Sequence, residues 1–235
     1  MKGPNPNPRG PPVPPPRTKV AFTVTLVRMS DLDKSGSYGH ICPMPATHSY
    51  DQIHELALEQ HGMFTTEQAE QLGVPRSTLA KMARRGRVLR HAHGLYQDLG
   101  APETRWTPYM AAVLWPQGAR GVLSHETALS LMELSDVNPS QIHVTGPVAH
   151  RVRRREPPPG VVLHGADLSD EEVISIEGLP VTRAARAIRD CAQTSIGPAL
   201  LAQAIRDGES KGYLTADEAR ELRRELMRKG FISRG

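Results

Sequence analysis

Apolar residues recur every three or four positions through residues 49–85 and every second position through 87–97, and this change of period outlines the first predicted unit. Ile53, Leu56 and Ala57, with Gln60 on the same face, predict a helix over 49–61; Ser49 and Gln52 form a capping box before it and Gly62 stops it. Met63 and Phe64 then pack down before Thr65. Thr65 and Gln68 make a second capping box, opening a helix that runs to Leu72 and ends at Gly73. Val74 reads as a buried turn residue, and Pro75 opens a third helix, where its missing N–H costs nothing. That helix runs from about Arg76 to Arg85 and stops at Gly86. Residues 87–91 and 94–97 alternate as two strands around a turn at Ala92, His93 and Gly94. Helix, Gly-bearing turn, helix and hairpin predict a winged helix-turn-helix domain over 49–98.

Beyond a boundary at 97–105, which holds Gly100 and Pro102, the pattern is helices, then strands, then helices. Residues 107–115 carry an apolar stripe of Tyr109, Met110, Val113 and Leu114. Ser124 caps a helix over 125–134, with Ala128, Leu131 and Met132 inward. Strands are predicted at 142–145, 161–164, 173–176 and 179–181, the last two joined at Glu177 and Gly178. Helices follow at 182–192 (Ala185, Ile188 and Cys191 inward), at 198–206, and from the Thr215/Glu218 capping box to Lys229. The predicted class is therefore α+β: the winged helix-turn-helix domain followed by a mixed α+β domain over 105–235.

Charge sharpens the first unit. Residues 71–97 hold no acid, while Arg76, Lys81, Arg84, Arg85, Arg87 and Arg90 are basic. Residues 49–75 hold Asp51, Glu55, Glu59, Glu67 and Glu70 and no Lys or Arg. Such polarity orients a small domain on a polyanion. The third helix also splits its faces: Leu79, Met82 and Ala83 share the inner arc, Ser77, Lys81 and Arg84 the outer one, with Thr78 and Arg85 flanking. The predicted partner is double-stranded DNA. Arg76, Ser77, Thr78 and Lys81 would read bases in the major groove, and Arg84 and Arg85 would meet phosphates. Arg87, Arg90, His91 and His93 add the wing. The plain alternative is a solvated basic helix in an Arg-rich composition.

The stretch QHGMFTTEQAEQLGVPRSTLAKMARRGRVLRHAHGLYQ resembles the N-terminal domain of AbiEi-type antitoxins, matching the family pattern at Gly62, Phe64, Ala69, Gly73, Val74, Leu79, Met82, Gly86, Val88, Gly94, Leu95 and Tyr96. The stretches LSHETALSLMELSDVNPSQIHVTGP, HRVRRREPPPGVVLHGADL and IEGLPVTRAARAIRDCA resemble the second half of its actinobacterial-type members, so the likeness spans residues 50–222. It implies a regulator from an abortive-infection, type IV toxin–antitoxin system, without enzymatic activity. The first half would repress its own operon, and the second would counteract a cognate nucleotidyltransferase-type toxin. Pro75 departs from the pattern, standing where members often carry a small residue such as Ser, and removes a capping side chain.

A chain of 235 residues with net charge +4 and pI about 9.3 is long enough for two small domains and mildly favours nucleic acid. Cys42 and Cys191 stand far apart and propose neither a disulfide framework nor a metal spacing, which fits a reducing cytoplasm. No apolar run reaches membrane-spanning length. Residues 1–48 read as a disordered tail, with eight prolines in the first seventeen positions. Met29 and Met44 are alternative starts.

Other candidate chemistry is sparse, and neither a cofactor nor a metal is expected. Arg151, Arg153, Arg154 and Arg155 form the densest basic run, placed on a loop between two strands, either as a second anion-binding loop or as a solvated one. His91 and His93 have metal-like spacing without a third ligand. Ser124, His125 and Glu126 are consecutive and are expected to point apart on their helix, with Ser124 as a cap. Asp167, Asp170, Glu171 and Glu172 cluster after a strand, but the one Glu-x-Lys, Glu209-Ser210-Lys211, falls in a helix-linking turn. Three functions stay open: an autoregulating antitoxin, a stand-alone winged-helix repressor, and a protein-interaction module on the same scaffold.

Overall fold

The computed structural model describes residues 46–116, 121–148, 157–194 and 196–233. It is mixed α and β, with two separate sheets. The proline-rich residues 1–45 and the arginine run at 151–155 lie outside the described residues.

The first helix, α1, spans Ala46–Glu59. It begins upstream of the predicted cap, directly after Pro45, so Ser49 lies inside the helix instead of capping it. It ends at Glu59, two residues before the predicted His61, and the chain then turns through positive φ at His61 and Gly62. Met63–Thr65 is a short strand, β1, where only a packed-down turn is expected from the sequence, because three residues show no period. The helix α2 (Thr66–Gln71) carries the predicted box: Gln68 N donates to Thr65 Oγ1 at 3.2 Å, and Thr65 N donates to Gln68 Oε1 at 2.8 Å. Gly73 has φ +75°, and Val74 is fully buried. The next helix, α3 (Arg76–Arg84), starts at Arg76 as predicted and stops one residue early; Pro75 is its N-cap, just outside the first turn, and offers no side-chain bond. The hairpin β2 (Val88–Ala92) and β3 (Leu95–Asp98) follows, and β1 adds to it in the order β1-β3-β2. Ile53, Ala57, Phe64, Ala69, Val74, Leu79, Met82 and Val88 form the core between these helices and the small sheet.

Asp98 ties α1 to the end of β3. It is fully buried and accepts from Tyr50 OH at 2.9 Å, His54 Nδ1 at 2.5 Å and the Gly100 backbone N–H at 3.2 Å. Replacing it strands three donors at once. Asp98→Ala is expected to cost about 3 kcal/mol in urea unfolding; a loss below about 1 kcal/mol, the net worth of a single ordinary bond, would show that the cluster is not an anchor.

The second sheet is β6-β5-β4-β8-β7, made of β4 (Val122–Leu123), β5 (Ile142–Gly146), β6 (Val161–Gly165), β7 (Val173–Ile176) and β8 (Leu179–Thr182). β5 and β6 run parallel, as do β4 and β8, while β4/β5 and β7/β8 are antiparallel. Around it lie α4 (Thr107–Leu114), α5 (His125–Leu131), α6 (Ala184–Cys191), α7 (Pro198–Ser210) and α8 (Ala216–Arg228). α5 stops three residues short of expectation, with positive φ at Glu133 and Ser135, and α7 runs four residues further than expected. Lys211 caps α7 and reaches back to the Glu133 carbonyl at 2.7 Å. The acidic cluster at 170–172 is a single 3-10 turn whose Glu172 pairs with Arg186 at 2.9 Å, which gives it a structural partner.

The two cores meet. Met63 of β1 and Leu95 of β3 belong to the larger hydrophobic cluster, with Met110, Val113, Leu123 and Leu129. Thr107 Oγ1 donates to the His61 carbonyl at 2.8 Å, and His61 Nε2 lies 2.8 Å from the Glu177 carbonyl.

Candidate functional site

The solvent face of α3 is basic because its inner face is committed to the core: Leu79 and Met82 are buried, which turns Arg76, Ser77, Lys81 and Arg84 outward. All four are exposed, as is Arg85, while Thr78 is half-buried. Arg76 is held back along the surface, its Nε 2.7 Å from Glu70 Oε1. Both side chains are well exposed, so this pair is weak and can open for a stronger anion. Arg87 stands apart from the others, its guanidinium 5.0 Å from the centre of the Tyr50 ring.

On the hairpin, the register shifts between Arg90 and Ala92, leaving His91 as an extra residue in β2. Arg90 bonds its own turn, Nε to the Ala92 carbonyl at 3.3 Å, with its terminal nitrogen 3.3 Å from His93 Nδ1. His91 Nε2 is 3.0 Å from Gln97 Oε1. Arg90, His91 and His93 are exposed, and His91 and His93 do not converge with a third ligand among the described residues.

Residues 51–97 match the family described as transcriptional regulator, AbiEi antitoxin. This segment belongs to the AbiEi family. That description, of a transcriptional regulator, supports a DNA-binding regulatory role for the chain that carries the segment. No curated protein matches the chain. Among solved structures, the crystal structure of the RV2827C protein from Mycobacterium tuberculosis is similar over 75% of this chain and 80% of its own, at 13% identity and a TM-score of 0.36. No helix among the described residues is long and apolar enough to cross a membrane.

Outside the AbiEi segment the structure assembles a group that reading along the chain did not find. His125 opens α5, His143 lies on β5 and His164 on β6. In the parallel β5/β6 register His143 faces Val162 and Thr145 faces His164, so the two histidines share one face of the sheet. His143 Nδ1 and His164 Nε2 are 3.0 Å apart. The His125 ring stacks on His164 with centroids 3.6 Å apart. Burial pushes all three imidazoles toward the neutral form. It lowers His125 to about 3, with His164, His143 and Arg186 adding repulsion; it lowers His143, against the pull of Glu126; and it lowers His164, helped by His143.

Ser124 occupies the N-cap position of α5 without making a capping bond. Its Oγ is instead 2.9 Å from His125 Nδ1 and accepts from Thr145 Oγ1 at 2.7 Å. The expectation that consecutive residues point apart fails for Ser124 and His125 because they stand at the helix entry without helical dihedrals: Ser124 is extended, and His125, the first residue of α5, has φ +52°. Each histidine is visible in the sequence, but the strand pairing that unites them is not.

Proposed function

We propose that residues 49–98 form a winged helix-turn-helix domain in which α3 is the recognition helix and β2/β3 the wing, and that the chain uses it to repress its own toxin–antitoxin promoter. The observation that carries this reading is the acid-free basic face of α3, continuous in sequence with a basic hairpin, on a segment of a regulator family. Arg76, Ser77, Thr78 and Lys81 read bases, Arg84, Arg85 and Arg87 meet phosphates, and Arg90, His91 and His93 follow the backbone from the wing. Arg151, Arg153, Arg154 and Arg155 supply a second anion-binding loop. Residues 105–235 counteract a cognate nucleotidyltransferase-type toxin.

Two measurements test this. The full chain is expected to bind DNA upstream of its own gene at nanomolar concentration, with affinity falling steeply with salt: six phosphate contacts give a slope of about −5 in log K against log salt. Co-expression with a neighbouring nucleotidyltransferase is expected to restore growth, and the part from Arg105 onward to carry that protection. A salt-independent or absent DNA complex removes the regulator reading. Promoter binding without protection leaves a stand-alone repressor.

A further inference from the structure

We propose that His125, His143 and His164 together bind one divalent transition-metal ion of the zinc class, with a fourth coordination position open to water. Imidazole is a preferred ligand for Zn²⁺, Ni²⁺ and Cu²⁺, and three histidines with one open position is an established zinc arrangement. Here the three rings come from three different elements, and one candidate ligand nitrogen from each lies within 4.8 Å of the other two.

The surroundings are those of a ligand set. Ser124 Oγ engages His125 Nδ1 and is itself held by Thr145 Oγ1; both hydroxyl residues are buried. With Nδ1 donating its proton to Ser124 Oγ, as such a contact does in a metal-bound histidine, Nε2 of His125 is the nitrogen left for the ion. His143 Nδ1 and His164 Nε2 already face each other. One of the three residues is buried and two are half-buried, and the neutral imidazole is the ligating form. His125 also holds a left-handed backbone that a non-glycine residue adopts at a cost, and that conformation lets its side chain meet Ser124 and the sheet. Arg186, whose charge is felt at His125, is compensated by Glu172 at 2.9 Å and Asp190 at 2.8 Å.

A tetrahedral ion with bonds of about 2.0–2.1 Å sets its ligand nitrogens about 3.4 Å apart. The His143–His164 pair therefore opens slightly, and the stacked His125 and His164 rings turn out of their parallel contact. Both are side-chain rotations that leave the strand register intact.

The test uses the full chain, stripped with a chelator and titrated with Zn²⁺ by calorimetry and with Co²⁺ by visible absorption. One saturable equivalent is expected, with Co²⁺ giving the intense bands of a four-coordinate site. His143→Gln and His164→Gln are each expected to abolish it, Ser124→Ala to weaken it about 10- to 100-fold, and the His91→Ala/His93→Ala double variant to retain it. Should the glutamine variants misfold by circular dichroism, nitrogen-15 spectra of the unaltered chain decide: Zn²⁺ is expected to move three of the ten histidines. Absence of saturable binding overturns the proposal. So does binding that persists in a folded His143→Gln/His164→Gln variant, disappears with His91 and His93, or moves other histidines.

Discussion

Arg76→Ala or Lys81→Ala is expected to weaken binding to the operator by roughly 1–3 kcal/mol while leaving binding to random DNA nearly unchanged, because a bidentate base contact discriminates by about that amount. Both side chains are exposed on the outer face of α3. In the free protein Arg76 lies against Glu70, a pair that gives up little when it opens. Glu70→Ala is therefore a useful companion: it removes the competing carboxylate and is expected to leave operator affinity equal or higher. Arg84→Ala/Arg85→Ala is expected to behave in the opposite way to Arg76→Ala. It should weaken operator and random DNA alike and flatten the salt slope by about 1.8, two phosphate contacts at about 0.9 each. Competition binding at several salt concentrations separates the two classes. Equal losses on operator and random DNA for Arg76→Ala and Lys81→Ala would recast those residues as phosphate contacts.

The parts of this fold that were legible in the sequence are those governed by local chemistry. The Thr65 and Thr215 boxes close as the spacing predicts, since a hydroxyl and a carboxyl or amide three residues apart meet wherever a helix starts. Gly73, Gly86, Gly94 and Gly178 each adopt the positive φ that their turn positions require. Ser49 misled for the same reason: it fits a local box, but nothing local shows that the helix begins upstream, after Pro45. The illegible parts depend on pairing at a distance. β1 is three residues long and β4 two, too short for a period, and they exist because β3, β5 and β8 lie alongside. The sheet order β6-β5-β4-β8-β7 is likewise absent from any single stretch. The three histidines fall in that second group, since their convergence depends on the parallel register of β5 with β6 and on the docking of α5 beside them.

The same distinction bears on whether residues 46–98 stand alone. Their own core is closed by Phe64, Leu79 and Val88, but Met63 and Leu95 face the other way, into the cluster built with α4 and the second sheet. Both are essentially unexposed in the whole chain. Cutting after Asp98 uncovers them and also removes the bond that the His61 carbonyl accepts from Thr107 and the one that the His61 ring makes to the Glu177 carbonyl. Fully burying a side chain of this kind contributes about 1.5–3 kcal/mol, so the fragment 46–98 is expected to lose about 3–6 kcal/mol, enough to bring a domain of this size to the margin of stability. Fragment 46–116 keeps α4, whose Met110 and Val113 belong to the same cluster, and is expected to recover part of that loss. Thermal unfolding by circular dichroism, run beside operator binding, orders the three species as full chain, then 46–116, then 46–98. A fragment 46–98 that melts at the temperature of the full chain and binds operator equally well would show that the Met63 and Leu95 contact contributes nothing to the DNA-binding half.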